Sequence, residues 1–249
     1  MDNPFSLFGK TILVTGASSG IGRAISIECS KMGARVIITG RNKLKLDETL
    51  SMMEGNLNKK VIADLTIEKE AEALVSQLPH LDGIVHNAGV GSRVLCKNIN
   101  MINLTHDFLP NTYAPILFQA LLLQHKVINK NSSIVFISSI GAKHPNIANS
   151  VYSASKGAIV SYAKCLGLEL APRKIRVNCV CPGMVWTDLI IQDGVTKEDL
   201  EVLQNKYALK RYGKPEDIAY LVLYLLSDAS SWMTGNAIDI SGGGEGILT

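Results

Sequence analysis

The stretch Thr15-Gly16-Ala17-Ser18-Ser19-Gly20-Ile21-Gly22 decides how the rest of the chain is read. It follows a short apolar run, Thr11–Thr15, and leads into the helical periodicity of Ile21–Met32. Glycines at such a turn let the backbone approach phosphate oxygens closely, and the first turn of a helix offers them unpaired N–H groups and a partial positive charge. A glycine-rich turn by itself is only a tight corner. With a strand before it and a helix after it, this one falls where a doubly wound fold holds a dinucleotide pyrophosphate.

Outward from that turn, runs rich in Val and Ile recur at Arg35–Thr39, Lys59–Ala63, Asp82–His86, Ser133–Ser138, Arg176–Val180 and Ala237–Ile240. Helical patterns lie between most of them, at Lys43–Met53, Glu68–Gln77, Thr112–Val127, Tyr152–Ala171 and Glu216–Ser227. Strand-helix alternation of this kind implies right-handed crossovers and a parallel sheet. The expected architecture is α/β: one Rossmann-type domain over residues 1–249, a doubly wound parallel sheet of about seven strands with helices on both faces. Thr187–Tyr212 is longer and more polar than a simple connection and contains Gly194, and it is expected to act as a substrate lid.

Composition narrows the function classes. The chain has 249 residues, 47% of them hydrophobic, enough to bury a full core, and no linker-like stretch divides it. A net charge of +3, evenly spread, argues against a nucleic-acid partner. No apolar run approaches the roughly 20 residues of a membrane helix, and no basic-then-apolar leader opens the sequence, so a cytoplasmic protein without a membrane partner is expected. The five cysteines form no C-x-x-C pair and are odd in number, which points to neither a metal site nor a disulfide framework and fits a reducing compartment. Cys179 and Cys181, two apart in a strand, read as core residues.

The second strand ends Thr39-Gly40-Arg41-Asn42, and no Asp or Glu occurs between Glu28 and Asp47. The carboxylate that would accept hydrogen bonds from the ribose of NAD is therefore missing. Arg41 instead offers a planar fork suited to the 2′-phosphate of NADP. Further along, Tyr152 and Lys156 stand four apart and share one helix face, where an ammonium and a positive nicotinamide ring would lower the phenol's pKa. That pair alone equally describes an ordinary amphipathic helix. Ser139, at the end of the fifth strand and 13 residues before Tyr152, strengthens it, because strand ends of a parallel sheet deliver side chains into the ligand crevice.

The G-x-x-x-G-x-G loop, Asp64-Leu65, Asn87-Ala88-Gly89, Phe108-Leu109-Pro110-Asn111, Ser139, Tyr152 with Lys156, and Pro182-Gly183-Met184-Val185-Trp186-Thr187 occur in one order. From residue 11 to about residue 242 this order resembles the short-chain dehydrogenase/reductase family, and within it the 3-oxoacyl-carrier-protein reductases and related NADP-dependent carbonyl reductases. The resemblance implies NADPH or NADP held by Gly16, Ser18, Ser19, Gly20, Ile21 and Gly22, by Arg41, and by Asp64 and Leu65 near the adenine. It implies Asn87, Ala88 and Gly89 along the cofactor channel, and Pro182, Gly183, Val185 and Thr187 at the nicotinamide and phosphates. Tyr152 would transfer the proton between carbonyl and secondary alcohol. Ser139 would hydrogen-bond the carbonyl oxygen, Lys156 would hold the ribose and tune Tyr152, and Asn111 would maintain a water-linked proton relay.

The chain departs from the family pattern at Ser19, where many NADP-using relatives carry a basic residue, and at Trp186, read as packing or a substrate wall. His86 is read as a packed strand residue. A small-molecule carbonyl or alcohol is the implied substrate, and a homo-oligomer, tetramer or dimer, built on Thr112–Val127, Tyr152–Ala171 and Ala237–Ile240, is the implied assembly. A carrier-protein substrate is an alternative, with Lys206, Lys210, Arg211 and Lys214 as its docking surface. A non-catalytic NADP-binding sensor or scaffold is a second, against which the complete Asn-Ser-Tyr-Lys set argues.

Overall fold

In the computed structural model, which describes residues 3–190 and 196–244, the apolar runs pair side by side. They form β1 (Thr11–Thr15), β2 (Arg35–Gly40), β3 (Lys59–Ile62), β4 (Leu81–His86), β5 (Ile128–Ile137), β6 (Arg176–Pro182) and β7 (Ala237–Ile240). Every pairing is parallel, in the order β3-β2-β1-β4-β5-β6-β7. The intervening helices are α1 (Gly20–Lys31), α2 (Lys43–Ser51), α3 (Glu68–Val75), α4 (Met101–Phe108), α5 (Ala114–Gln124), α6 (Ser150–Leu170), α7 (Lys197–Gln204) and α8 (Pro215–Leu226).

The pleat sorts the strand side chains into two layers. Ile12, Val14, Val36, Ile38, Val85, Val135 and Val180 pack with apolar residues of α1 and α8. Leu13, Ile37, Ile84, Phe136, Val177, Cys179 and Cys181 pack with those of α3, α5 and α6. Helices cover both faces, so the strands read as continuous apolar runs rather than alternating ones. Cys179 and Cys181 are core residues, as their spacing implies.

Three departures from the expected elements have local causes. β5 starts at Ile128, ahead of Ser133, because its first residues, Asn129-Lys130-Asn131-Ser132, are polar and its pairing with β4 shifts register between Leu81 and Gly83. α5 starts at Ala114 rather than Thr112 because Leu109–Tyr113 winds as a wider π-helical turn. α4 falls where no helix was expected; Asn100 and Asn103 cap its start reciprocally, and its exposed apolar Met101 and Ile102 blur the amphipathic pattern.

Beyond β6, the expected lid contains the short 3₁₀ turn Asp188–Ile190 and α7. Leu200, Tyr207 and Tyr212 are buried there in a small cluster with Met184, Trp186 and Leu203. Trp186 is thus a packing residue, 5.5 Å between ring centroids from Tyr212. Gly194, with residues 191–195, lies outside the described residues, as do the domain's ends at 1–2 and 245–249. Among the described residues no helix is long and apolar enough to cross a membrane.

Candidate active site

β1 and β4 are neighbours, yet their chains leave in opposite directions, β1 towards β2 and β4 towards β5. A crevice opens at such a switch point, at the carboxyl ends of the strands. Asn87 stitches it together: its Nδ2 donates to the carbonyls of Thr15 and Gly16, both at 3.1 Å, while the Asn87 and Ala88 N–H groups donate to the Thr15 hydroxyl. Gly16, at φ +63°, lies so close to this corner that a Cβ there would stand 2.7 Å from the Ala88 Cα. At Gly22 a Cβ would meet the Gly16 carbonyl at 2.3 Å. The cradle keeps its shape only with glycine at these places, which fits close approach of a pyrophosphate.

One cavity of about 590 Å³ is lined by Gly16, Ser18, Ser19, Gly20, Ile21, Arg41, Asp64, Leu65, Asn87, Ala88, Gly89, Ser139, Tyr152, Lys156, Pro182, Gly183, Val185 and Thr187. Of the expected site residues, Gly22 and Asn111 alone stand behind its wall. At the end of β2 the exposed Arg41 guanidinium lies 3.7 Å from the Asp64 carboxylate. Burial works to raise the Asp64 carboxyl, but hydrogen bonds from the Thr66 hydroxyl and N–H, with Arg41 beside it, hold it below the usual range. β2 and β3 run in register with Gly40 opposite Ile62, which brings Arg41, one residue past β2, and Asp64, two residues past β3, to one corner. Arg23, which the sequence reading passes over, braces the loop from beneath by donating to the Ser18 carbonyl at 2.7 Å and to Glu48.

At the inner end, Ser139 and Tyr152 are hydrogen-bonded through their side chains, and the Ser139 hydroxyl also accepts from the Gly141 N–H at 3.0 Å. Ser138 is structural: its hydroxyl donates to the Lys156 carbonyl and ties β5 to α6. Lys156 is buried, its Nζ donating to the Ile137 carbonyl at 3.0 Å and standing 5.9 Å from the centre of the Tyr152 ring. Asn111 lies in the π-helical turn, where its Oδ1 accepts from the Val90 N–H at 2.8 Å and its Nδ2 donates to the Val90 carbonyl and the Ser155 hydroxyl. A Cβ on Gly89 would fall 2.8 Å from Asn111 Oδ1 and 3.2 Å from Lys156 Nζ, so Gly89 is what lets these two side chains share a corner.

The electrostatics differ from the expectation at Tyr152. Burial raises the phenol above its ordinary value, and the hydrogen bond from Ser139 only partly offsets this. Lys156 stands over the Tyr152 ring, and burial brings its own ammonium down to about 8, with the Asp107 charge among those opposing the fall. The upward shift at Tyr152 holds the phenol in its neutral, protonated form. His86 is a packed residue as read: it stacks on Phe136 at 4.4 Å, bonds Gln119 at 2.9 Å, and is pushed down to about 4 by burial.

Two further residues escaped the sequence reading. Ser92 lines the cavity and donates to the buried Asp107 on α4. Asp107 stands four residues before Asn111, and that helical spacing was the available signal.

A glycine-lined crevice with Ser139, Tyr152 and Lys156 gathered at its inner end fits an oxidoreductase that uses a nicotinamide cofactor. The comparisons with known proteins agree. A family model described as enoyl-(acyl-carrier-protein) reductase matches residues 16–245. A 3-oxoacyl-[acyl-carrier-protein] reductase of Rickettsia felis is 36% identical over 245 residues, covering 95% of this chain and 97% of that protein. An L-xylulose reductase of Caenorhabditis elegans is 33% identical over 241 residues, covering 94% of this chain and 95% of that protein. A Beutenbergia cavernae structure, described as a candidate NAD(P)-dependent gluconate 5-dehydrogenase with NADP at low occupancy, is 30% identical with a TM-score of 0.86, covering 97% of this chain and 98% of that one. The chain belongs to the short-chain dehydrogenase/reductase family.

Proposed function

We propose that this protein is an NADP(H)-dependent oxidoreductase that interconverts a ketone and a secondary alcohol, with Tyr152 as the acid–base group. The observation that carries the reading is the Ser139–Tyr152–Lys156 corner at the end of a glycine-lined crevice. NADPH, when bound, supplies the hydride. Tyr152 would give its proton to the carbonyl oxygen as the carbonyl carbon is reduced, so that ketone, NADPH and one proton balance alcohol and NADP+. Ser139 donates a hydrogen bond to the oxygen as charge develops on it. Lys156 holds the ribose, and its buried ammonium stabilises the phenolate left on Tyr152 until a proton returns from the Asn111 side. Arg41 pairs with the 2′-phosphate, and Ser19 leaves it without a second basic residue in the loop. The described parts of the expected lid, residues 187–190 and 196–212, would cover the substrate end.

Tyr152→Phe keeps the ring and its packing but deletes the proton. Turnover with NADPH and a ketone should fall by on the order of 10²–10⁴, with NADPH affinity and melting temperature little changed. Near-native turnover in a well-folded Tyr152→Phe variant would refute the mechanism, and a protein that binds NADPH yet reduces no carbonyl would return the reading to a sensor or scaffold.

The second reading, reduction of a 3-oxoacyl group on a carrier protein, is favoured by the name of the Rickettsia relative. Of its proposed docking surface, Arg211 is engaged with Asp217 and Lys210 with the Asn205 carbonyl, which weakens the case for a free basic patch.

A further inference from the structure

Ser92 follows β4 and lies on the wall of the same cavity as Ser139 and Tyr152. Its hydroxyl is 2.7 Å from one oxygen of Asp107, whose other oxygen is 2.8 Å from Nδ1 of His106. Asp107 is 0% exposed, while the His106 ring is half exposed. A carboxylate only accepts, so both neighbours donate: His106 from Nδ1–H, and Ser92 with its single proton. The set is not a hydrolytic triad. A nucleophilic serine gives its proton to an imidazole, and here the imidazole lies on the far side of the carboxylate.

The consequence is directional. With its proton committed inward, the Ser92 oxygen turns only lone pairs towards the cavity, and the group it suits is a donor. A ketone, ester or thioester oxygen has no proton to give, whereas a hydroxyl does. The same cavity carries the polar His144, Asn146 and Asn149 beside the apolar Ile140, Met184 and Leu189, a lining that offers partners to a compound with several polar groups on a carbon frame. Asp107 also lies near the reacting centre, since its charge is felt at both Tyr152 and Lys156.

We propose that Ser92, oriented by Asp107, accepts a hydrogen bond from a substrate hydroxyl, and that the site therefore takes hydroxylated carbonyl compounds in preference to plain ketones or acyl thioesters. This rests on the reductase reading given above. Ser92 is the specificity-determining residue, and Asp107 is a positioning residue that acts through it.

The test compares kcat/KM, with NADPH, for acetoin, 2-butanone, 2,3-butanedione and an acetoacetyl thioester. A site built to pair with a hydroxyl discriminates strongly against analogues that lack it, so acetoin should exceed 2-butanone by at least about tenfold. Ser92→Ala should collapse that ratio towards one. Asp107→Asn can donate to Ser92 and free its proton to point outward, so the preference should move from acetoin towards 2,3-butanedione. A merely structural Asp107 would depress all four substrates together, and that outcome would overturn its positioning role. Equal use of acetoin and 2-butanone, a ratio that survives Ser92→Ala, or preference for the thioester would overturn the proposal while leaving the reductase reading intact. Failure to oxidise NADPH with any of the four would sink both.

Discussion

At the scale of single residues, the cofactor corner concentrates the most informative contacts in the fewest atoms. Arg41 is exposed, and its partner in the free protein is Asp64, 3.7 Å away. A pair so exposed is worth little, so Arg41 gives up little to meet a doubly charged phosphate. Asp64 nonetheless stays in that corner and opposes a phosphate brought close to it. The proposed preference for NADPH would therefore rest on Arg41 exceeding a carboxylate that the sequence reading places at the adenine alone. A charge-assisted contact is worth about 1.5–3 kcal/mol, so Arg41→Asp should weaken NADPH by about ten- to a hundredfold and bring NADH level with it or ahead. Titration of both cofactors against native protein and variant checks this. Tighter binding of NADH by the native chain would remove Arg41 from the phosphate.

At the scale of elements, α6 presents Tyr152 and Lys156, the proposed acid–base pair, on one face against β5. The burial that fixes Lys156 also lowers it to about 8 from its ordinary 10.5, and this sets a pH dependence. The free protein carries the ammonium below about 8 and loses it above. NADPH affinity that depends on the charged Lys156 should thus be intact at pH 7 and decline as pH rises past 8, by at most about tenfold per unit. Stability of the free protein runs the other way, because the cost of burying the ammonium is relieved between about 8 and 10.5. Fluorescence titration of NADPH from pH 7 to 10, beside melting temperatures of the free protein, separates the two; a flat affinity profile would show that Lys156 does not hold the cofactor in its charged form.

The same elements show what was legible in the sequence and why. Strands buried on both faces announce themselves as Val and Ile runs, and the glycine loop, Ser139, Tyr152 and Lys156 are carried by short local spacings. The direction of the Tyr152 shift was not legible, because it is set by how far the folded chain removes the phenol from water. Nor was the start of β5, where four polar residues precede the apolar run. Ser92, Asp107 and His106 come together from a loop and a helix whose apolar outer face masks its pattern. Contacts of that kind are decided by tertiary packing rather than by residue type.

At the scale of the whole molecule, the faces of α5 and α6 turned away from the sheet carry exposed apolar side chains. Tyr113 and Leu117, at the start of α5 and within it, are 53% and 63% exposed, and Leu168 on α6 is 79% exposed. Scattered exposed apolar residues are normal, but these lie on the two helices that the family resemblance assigns to assembly, directly behind the residues of the site. The expected state is a dimer or tetramer, visible by sedimentation at micromolar concentration, with a melting temperature that rises with protein concentration. A Leu117→Glu, Leu168→Glu double substitution discriminates sharply. On a monomer these are surface changes worth no more than about 0.5 kcal/mol each, and the melting temperature should hardly move. On an interface they bury uncompensated charge against the partner, so the assembly should dissociate, the concentration dependence should vanish, and turnover should fall as α6 loses its support. A native chain that sediments as a single monomer at every concentration, with the double variant equally stable and active, would show that the site is complete within one chain.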